Sequence, residues 1–86
     1  MERFIDKKVF VRTVTNYFTG LLVAVTDQSL ILEQAAWVAD TGRFSAGLAD
    51  GTLSEVEPYP DGPVLVARGA VIDLCEWRHE LPRDVR

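Results

Sequence analysis

The sequence is short of the residues that carry most protein chemistry. Its 86 residues hold one cysteine, Cys75, and one histidine, His79. A single cysteine excludes an intrachain disulfide, and one histidine with one cysteine makes no structural zinc set. A lone histidine catalyses only when a nucleophile or carboxylate is brought to it. His79 lies in the charged run Arg78-His79-Glu80 and reads as an exposed surface residue. Cys75 lies among apolar strand residues and reads as buried or as part of an interface. Long apolar runs are also missing. Nothing approaches the roughly 20 residues of a membrane span, and the opening Met-Glu-Arg-Phe-Ile-Asp-Lys-Lys lacks the apolar core of a signal peptide. These absences lead us to expect a cytoplasmic protein with no membrane partner, and a single cysteine fits a reducing compartment.

Positive charge is scarce in the middle of the chain. Residues 13 to 77 hold only Arg43 and Arg68 against nine acidic residues, and the formal net charge is −4. The other basic residues sit at the ends: Arg3, Lys7, Lys8 and Arg12, then Arg78, Arg83 and Arg86. Broad phosphate binding needs a basic surface, because counterion release drives it, and only the termini supply one. Asp40, Asp50, Glu55, Glu57 and Asp61 crowd one stretch without the alternation of a calcium loop. Gly42 and Gly47 lack the spacing of a phosphate-cradling loop. Nothing assembles an acid, a base and a nucleophile, so we expect no enzyme, no cofactor and no metal.

What is present is apolar and strand-like. Hydrophobic residues make up 48% of the chain, more than the modest core of one small domain needs, which points to apolar surface in a subunit interface. Residues 8–14, Tyr17 to Thr26, Leu30 to about Val38, Pro63 to Ala67 and Ala70 to Trp77 are rich in β-branched and aromatic residues and read as five strands. Thr15-Asn16 forms a turn, where asparagine tolerates the left-handed conformation. Gly20 inside the second strand marks a bend. Tyr17 and Phe18 alternate, so at most one is free to stack a base. Trp37 and Trp77 read as core or interface anchors.

Residues 40–62 form an insertion between strands 3 and 4. Asp40 or Thr41 is placed to cap a short helix over Arg43 to Asp50, with Phe44 and Leu48 on its contact face and Gly51 ending it. Glu55-Val-Glu-Pro-Tyr-Pro-Asp-Gly-Pro follows, and its three prolines and one glycine predict an ordered but irregular loop. The expected architecture is therefore one all-β domain over 1–86, a small, strongly bent five-stranded barrel with an insertion.

The motif residues resemble those of the Sm and Sm-like proteins, including the bacterial Hfq branch. Val9, Val11, Thr13, Asn16, Phe18, Gly20 and Leu22 fall at the places of that family's first motif, with Asn16 where glycine is usual. Asp27-Gln28 followed by Leu30-Ile31-Leu32 is similar to Hfq. Val64-Leu65-Val66-Ala67-Arg68-Gly69-Ala70-Val71-Ile72 is similar to the second motif in its eukaryotic and archaeal form. The resemblance covers residues 8–39 and 63–77. It implies an SH3-type barrel whose subunits pair their fourth and fifth strands into a ring, a cyclic homo-oligomer joined through Val64, Leu65, Val66, Ala70, Val71 and Ile72. It also implies a site for single-stranded RNA at the pore, formed by Asp27, Gln28, Ser29, Arg68 and Gly69, with Asp27 orienting Arg68. The family's base-reading asparagine is replaced by Leu30, or by Ile31 at a shift of one, and neither hydrogen-bonds a base. Two functions stay open: a ring binding RNA, and a structural or scaffolding ring with the insertion as its partner-binding arm. A monomeric, peptide-binding SH3-like module is a third. So compact and divergent a member suits a phage genome, and a cellular source fits as well.

Overall fold

A computed structural model describes residues 1–86. Its fold is built on Lys8–Thr13, the first strand, β1, where Val9, Phe10 and Val11 are all buried. Side chains alternate across a strand, so three consecutive buried residues require cover on both faces of the sheet. Val9 and Val11 point into one core with Leu22, Leu30, Leu32, Ala35 and Val66. Phe10 points into a second core with Ala36, Val38, Leu53, Val56 and Trp77.

The chain is all-β, with six strands rather than five. After β1 come β2 (Tyr17–Val25), β3 (Ser29–Asp40), β4 (Glu55–Pro58), β5 (Val64–Ala67) and β6 (Val71–Glu76), with one helix, α1, at Phe44–Asp50. The sheet order is β4-β3-β2-β1-β6, with β5 also on β3, and every pairing is antiparallel. No pairing joins β5 to β6. The additional strand, β4, lies in the insertion, where the prolines predict only a loop. It forms because Ala36 to Asp40 at the far end of β3 offers it a partner.

β3 serves two neighbours. Ser29 to Leu32 pairs with β5, and Ala36 to Asp40 pairs with β4. Between them Gln34 takes a positive φ of 50°, and the β2 register shifts between Thr19 and Leu21. Gly20 sits at that shift, as its place inside a strand predicts. A Cβ there would lie 3.1 Å from the Leu32 Cβ, so the close approach of β3 requires a residue without a side chain.

The second face is covered by the insertion and the C-terminal tail. Phe10 stacks on Tyr17 and Trp77, with ring centroids 5.3 and 5.8 Å away, and meets Phe44 of α1 edge-on at 6.1 Å. Trp77 is 1% exposed, and its indole N–H donates to the Glu80 carbonyl at 3.1 Å. A seven-residue helix has little stability alone, and here packing holds α1. It starts one residue later than expected, and Asp40 accepts from the Gly42 N–H at 2.8 Å instead of capping the helix. Gly51 ends it at φ 74°, as expected. At the first turn, Asn16 does not adopt the left-handed conformation. It works through hydrogen bonds, with its side-chain amide donating to the Tyr17 carbonyl at 2.9 Å and its own carbonyl accepting from the Thr13 hydroxyl at 2.8 Å. No helix is long and apolar enough to cross a membrane.

Candidate functional site

Two turns converge at one end of the sheet. The first, between β2 and β3, is locked by Thr26. Its N–H donates to the Ser29 carbonyl at 2.8 Å, and its hydroxyl accepts from the N–H groups of Ser29 and Gln28 at 3.0 and 3.3 Å. That leaves Asp27 and Gln28 exposed at the tip. The second is a 3-10 turn at Arg68–Ala70, between β5 and β6. The Arg68 N–H donates to the Gln28 carbonyl at 2.8 Å, and its guanidinium donates to the Thr26 carbonyl at 3.0 Å. Asp27, Gln28, Ser29, Arg68 and Gly69, the residues the resemblance implies, therefore lie on two adjoining turns.

The internal wiring differs from expectation. Arg68 makes no ion pair with Asp27; the Thr26 carbonyl holds it instead. One carbonyl occupies one of five guanidinium N–H donors, and the rest stay available. Thr26 is the organising residue that the sequence reading passed over, and its hydroxyl two and three residues before Gln28 and Ser29 is the signal of such a turn. The N-terminal 3-10 turn, Glu2–Phe4, flanks the cluster. The Glu2 carboxyl is held below its ordinary range by its own backbone N–H, by the terminal ammonium and, least, by Arg68. Of the two places the resemblance gives to the family's base-reading asparagine, Leu30 is fully buried in the first core and Ile31 is half-buried.

The expected interface residues divide by face. Val66 pairs with Leu30 and Val64 with Leu32, and both valines pack in the first core. Val66 is thus an interior residue of the chain, with only its backbone at an edge. Leu65 is out of step with both and points to the second face, 63% exposed. Val71 packs on the first core, the Ala70 carbonyl accepts from the Val14 N–H at 3.2 Å, and Ile72 is 54% exposed. Each of β5 and β6 pairs with one strand only, which leaves each with one unpaired edge.

Other residues fall differently. His79 is half-buried rather than exposed. Its Nε2 lies 2.8 Å from the Leu48 carbonyl, and its ring meets Trp77 edge-on at 4.8 Å. It satisfies a carbonyl at the end of α1, a structural use of the only histidine. Cys75 is exposed within the subunit, and partial burial pushes its thiol above the ordinary range, with Asp73 adding to the effect. Tyr17 packs on the second core and Phe18 on the first, where it stacks with Tyr59 at 6.3 Å. Each ring is thereby used within the fold. Trp37 is partly exposed opposite Glu57, whereas Trp77 is a core anchor. The acidic residues of the insertion are exposed, and no three His, Cys, Asp or Glu side chains converge.

No protein-family model matches this chain, and no curated protein matches it in sequence.

Proposed function

We propose that this protein is an assembly subunit, an Sm-like, SH3-type barrel that builds a cyclic homo-oligomer by pairing β5 of one copy with β6 of the next. The observation that carries the reading is the pair of unpaired strand edges, β5 and β6, each bearing an exposed aliphatic residue, Leu65 and Ile72. Open edges present rows of unmet N–H and C=O groups and recruit a strand. Two different edges on one subunit make a head-to-tail contact, and repetition of such a contact closes a ring. Further support comes from Gly20 at the bend and from the Arg68 turn docked on the Thr26 turn, both at the positions of the Sm resemblance. Native mass measured by light scattering at micromolar concentration tests the reading. A species at a whole multiple of 9.6 kDa is expected, and a clean monomer overturns it.

Within that ring the better-supported role is structural. The net charge of −4 and the buried Leu30 both oppose reading of a base. The Arg68 cluster favours a second reading, single-stranded RNA held by charge or stacking, because a ring repeats that arginine once per subunit. Titration with labelled oligo-U and oligo-A at low and high salt separates the two. Salt-sensitive binding that is lost in Arg68→Ala supports RNA, and no binding at low salt supports scaffolding.

A further inference from the structure

α1 lies across the second face of the sheet, beside the unpaired edge of β6. The two elements enclose a groove of about 500 Å³, with an apolar floor of Phe44, Leu48, Ala49 and Cys75 and a polar rim of Ser45, Glu76 and Arg78. Its floor follows from the register. Cys75 is opposite Phe10, so its side chain shares the second face with that ring, on which Phe44 rests edge-on. Phe44 nevertheless remains 42% exposed. The volume is several times that of a leucine side chain, and one wall of the groove, Cys75 and Glu76, belongs to the strand with the unpaired edge.

We infer that this groove receives Leu65 of a second copy, so that the insertion as well as the strand edge forms the subunit contact. The inference rests on the assembly proposed above. A strand added to β6 lies about 4.8 Å beyond it. If both first cores lie on the same side of the joined sheet, Val64 and Val66 keep facing their own core. Leu65, out of step with them, then falls on the second face, which Asp73 and Cys75 of β6 share, and the groove that receives it lies at Cys75. Leu65 is the exposed large apolar residue of β5. The joining surfaces also carry no uncompensated charge at this point. Val64–Ala67 has no ionisable residue, Asp73 of β6 is held by the Arg12 guanidinium at 2.6 Å, and Glu76 at the groove's rim faces Arg78 at 3.8 Å. The insertion thus becomes one wall of a pocket for a neighbour, a role in self-assembly rather than a free arm for another partner.

The native cysteine permits a direct test. In Leu65→Cys, each subunit carries one cysteine on β5 and one, Cys75, on β6. Opposed residues of antiparallel strands lie 4.5–5.5 Å apart between Cα atoms, within disulfide range. Mild oxidation of the full chain should give a covalent ladder running past the dimer on a non-reducing gel. Leu65→Cys with Cys75→Ser should stop at the dimer. A second set, Leu65→Cys with Leu48→Cys in the Cys75→Ser background, samples the α1 wall of the groove. Native mass is measured on each unoxidised variant. An oligomer with a ladder in either set supports the inference. An oligomer without a ladder in both sets overturns the seating of Leu65 and leaves the ring standing. A monomeric wild type, measured alongside, overturns both.

Discussion

The edges of this sheet are treated in two opposite ways. At β4 the chain closes its own edge. Val56 exchanges backbone hydrogen bonds of 3.0 and 2.9 Å with Arg86, whose guanidinium donates to the Gly51 carbonyl at 2.9 Å. Arg83 ties the same tail to the carbonyls of Ala35 and Tyr59 at 3.2 and 3.0 Å. Glu55, Glu57 and Pro58 add charge and a missing donor, both of which discourage further pairing. At β5 and β6 no tail pairs with the outer edge and no proline interrupts it, although Glu76 ends β6 with a charge. β5 has no charge and no proline, and the one charge in the middle of β6, Asp73, is paired with Arg12. The fold thus covers one edge with its own tail and leaves two edges bare.

The contrast can be broken from either side. The largest expected effect is on the closed side. Trp77→Ala removes the anchor of the second core and should lower stability by about 3–5 kcal/mol, read by urea denaturation. Removal of residues 81–86 takes away Leu81, the buried Pro82 and the Arg86 pairing. It should cost about 2–4 kcal/mol, from two backbone hydrogen bonds near 1 kcal/mol each and the apolar area lost. It should also convert β4 into a third open edge, seen as concentration-dependent light scattering. Gly51→Ala places a side chain at positive φ with its Cβ 2.9 Å from the His79 ring, for a loss of about 1–2 kcal/mol by the same denaturation assay. On the open side the effect on the subunit is smallest. Leu65→Lys should change subunit stability by no more than about 0.5 kcal/mol, yet lower the native mass. Cys75 sharpens the comparison further. Its thiol is favoured in the protonated form on folding, so its contribution is present below the unfolded thiol value and is lost as pH rises through the folded one. Cys75→Ser should flatten that alkaline decline, and alkylation of the wild type should slow on assembly.

Much of the fold was legible because it is local. The β-branched runs at 8–14, 17–26, 30–38, 63–67 and 70–77 became strands, Gly20 the bend and Gly51 the end of the helix. β4 was not legible, since Glu55-Val-Glu-Pro carries one apolar residue and its partners are β3 and Arg86, distant in sequence. The second core left a signal that went unread. Val9-Phe10-Val11 is apolar on both faces, the mark of a strand covered on both sides. His79 looked exposed because its neighbours are charged, and only the placement of α1 brings the Leu48 carbonyl to it. Of the candidate site, the meeting of the Asp27 turn with Arg68 was implied by the family resemblance and not by the residues alone. The replacement of Asp27 by the Thr26 carbonyl as the partner of Arg68 did not, because backbone acceptors carry no residue-type signal.

The central claim is that the bare edges are occupied in solution, and residue-resolved amide hydrogen exchange of the full chain tests it most directly. Half of the amides in β5 and β6 point away from the strand each pairs with. The account predicts that these outward amides are protected at micromolar concentration, comparably to Val56 at the closed edge, and lose protection on dilution. Outward amides that exchange fast at every concentration, with Val56 still protected, would contradict it.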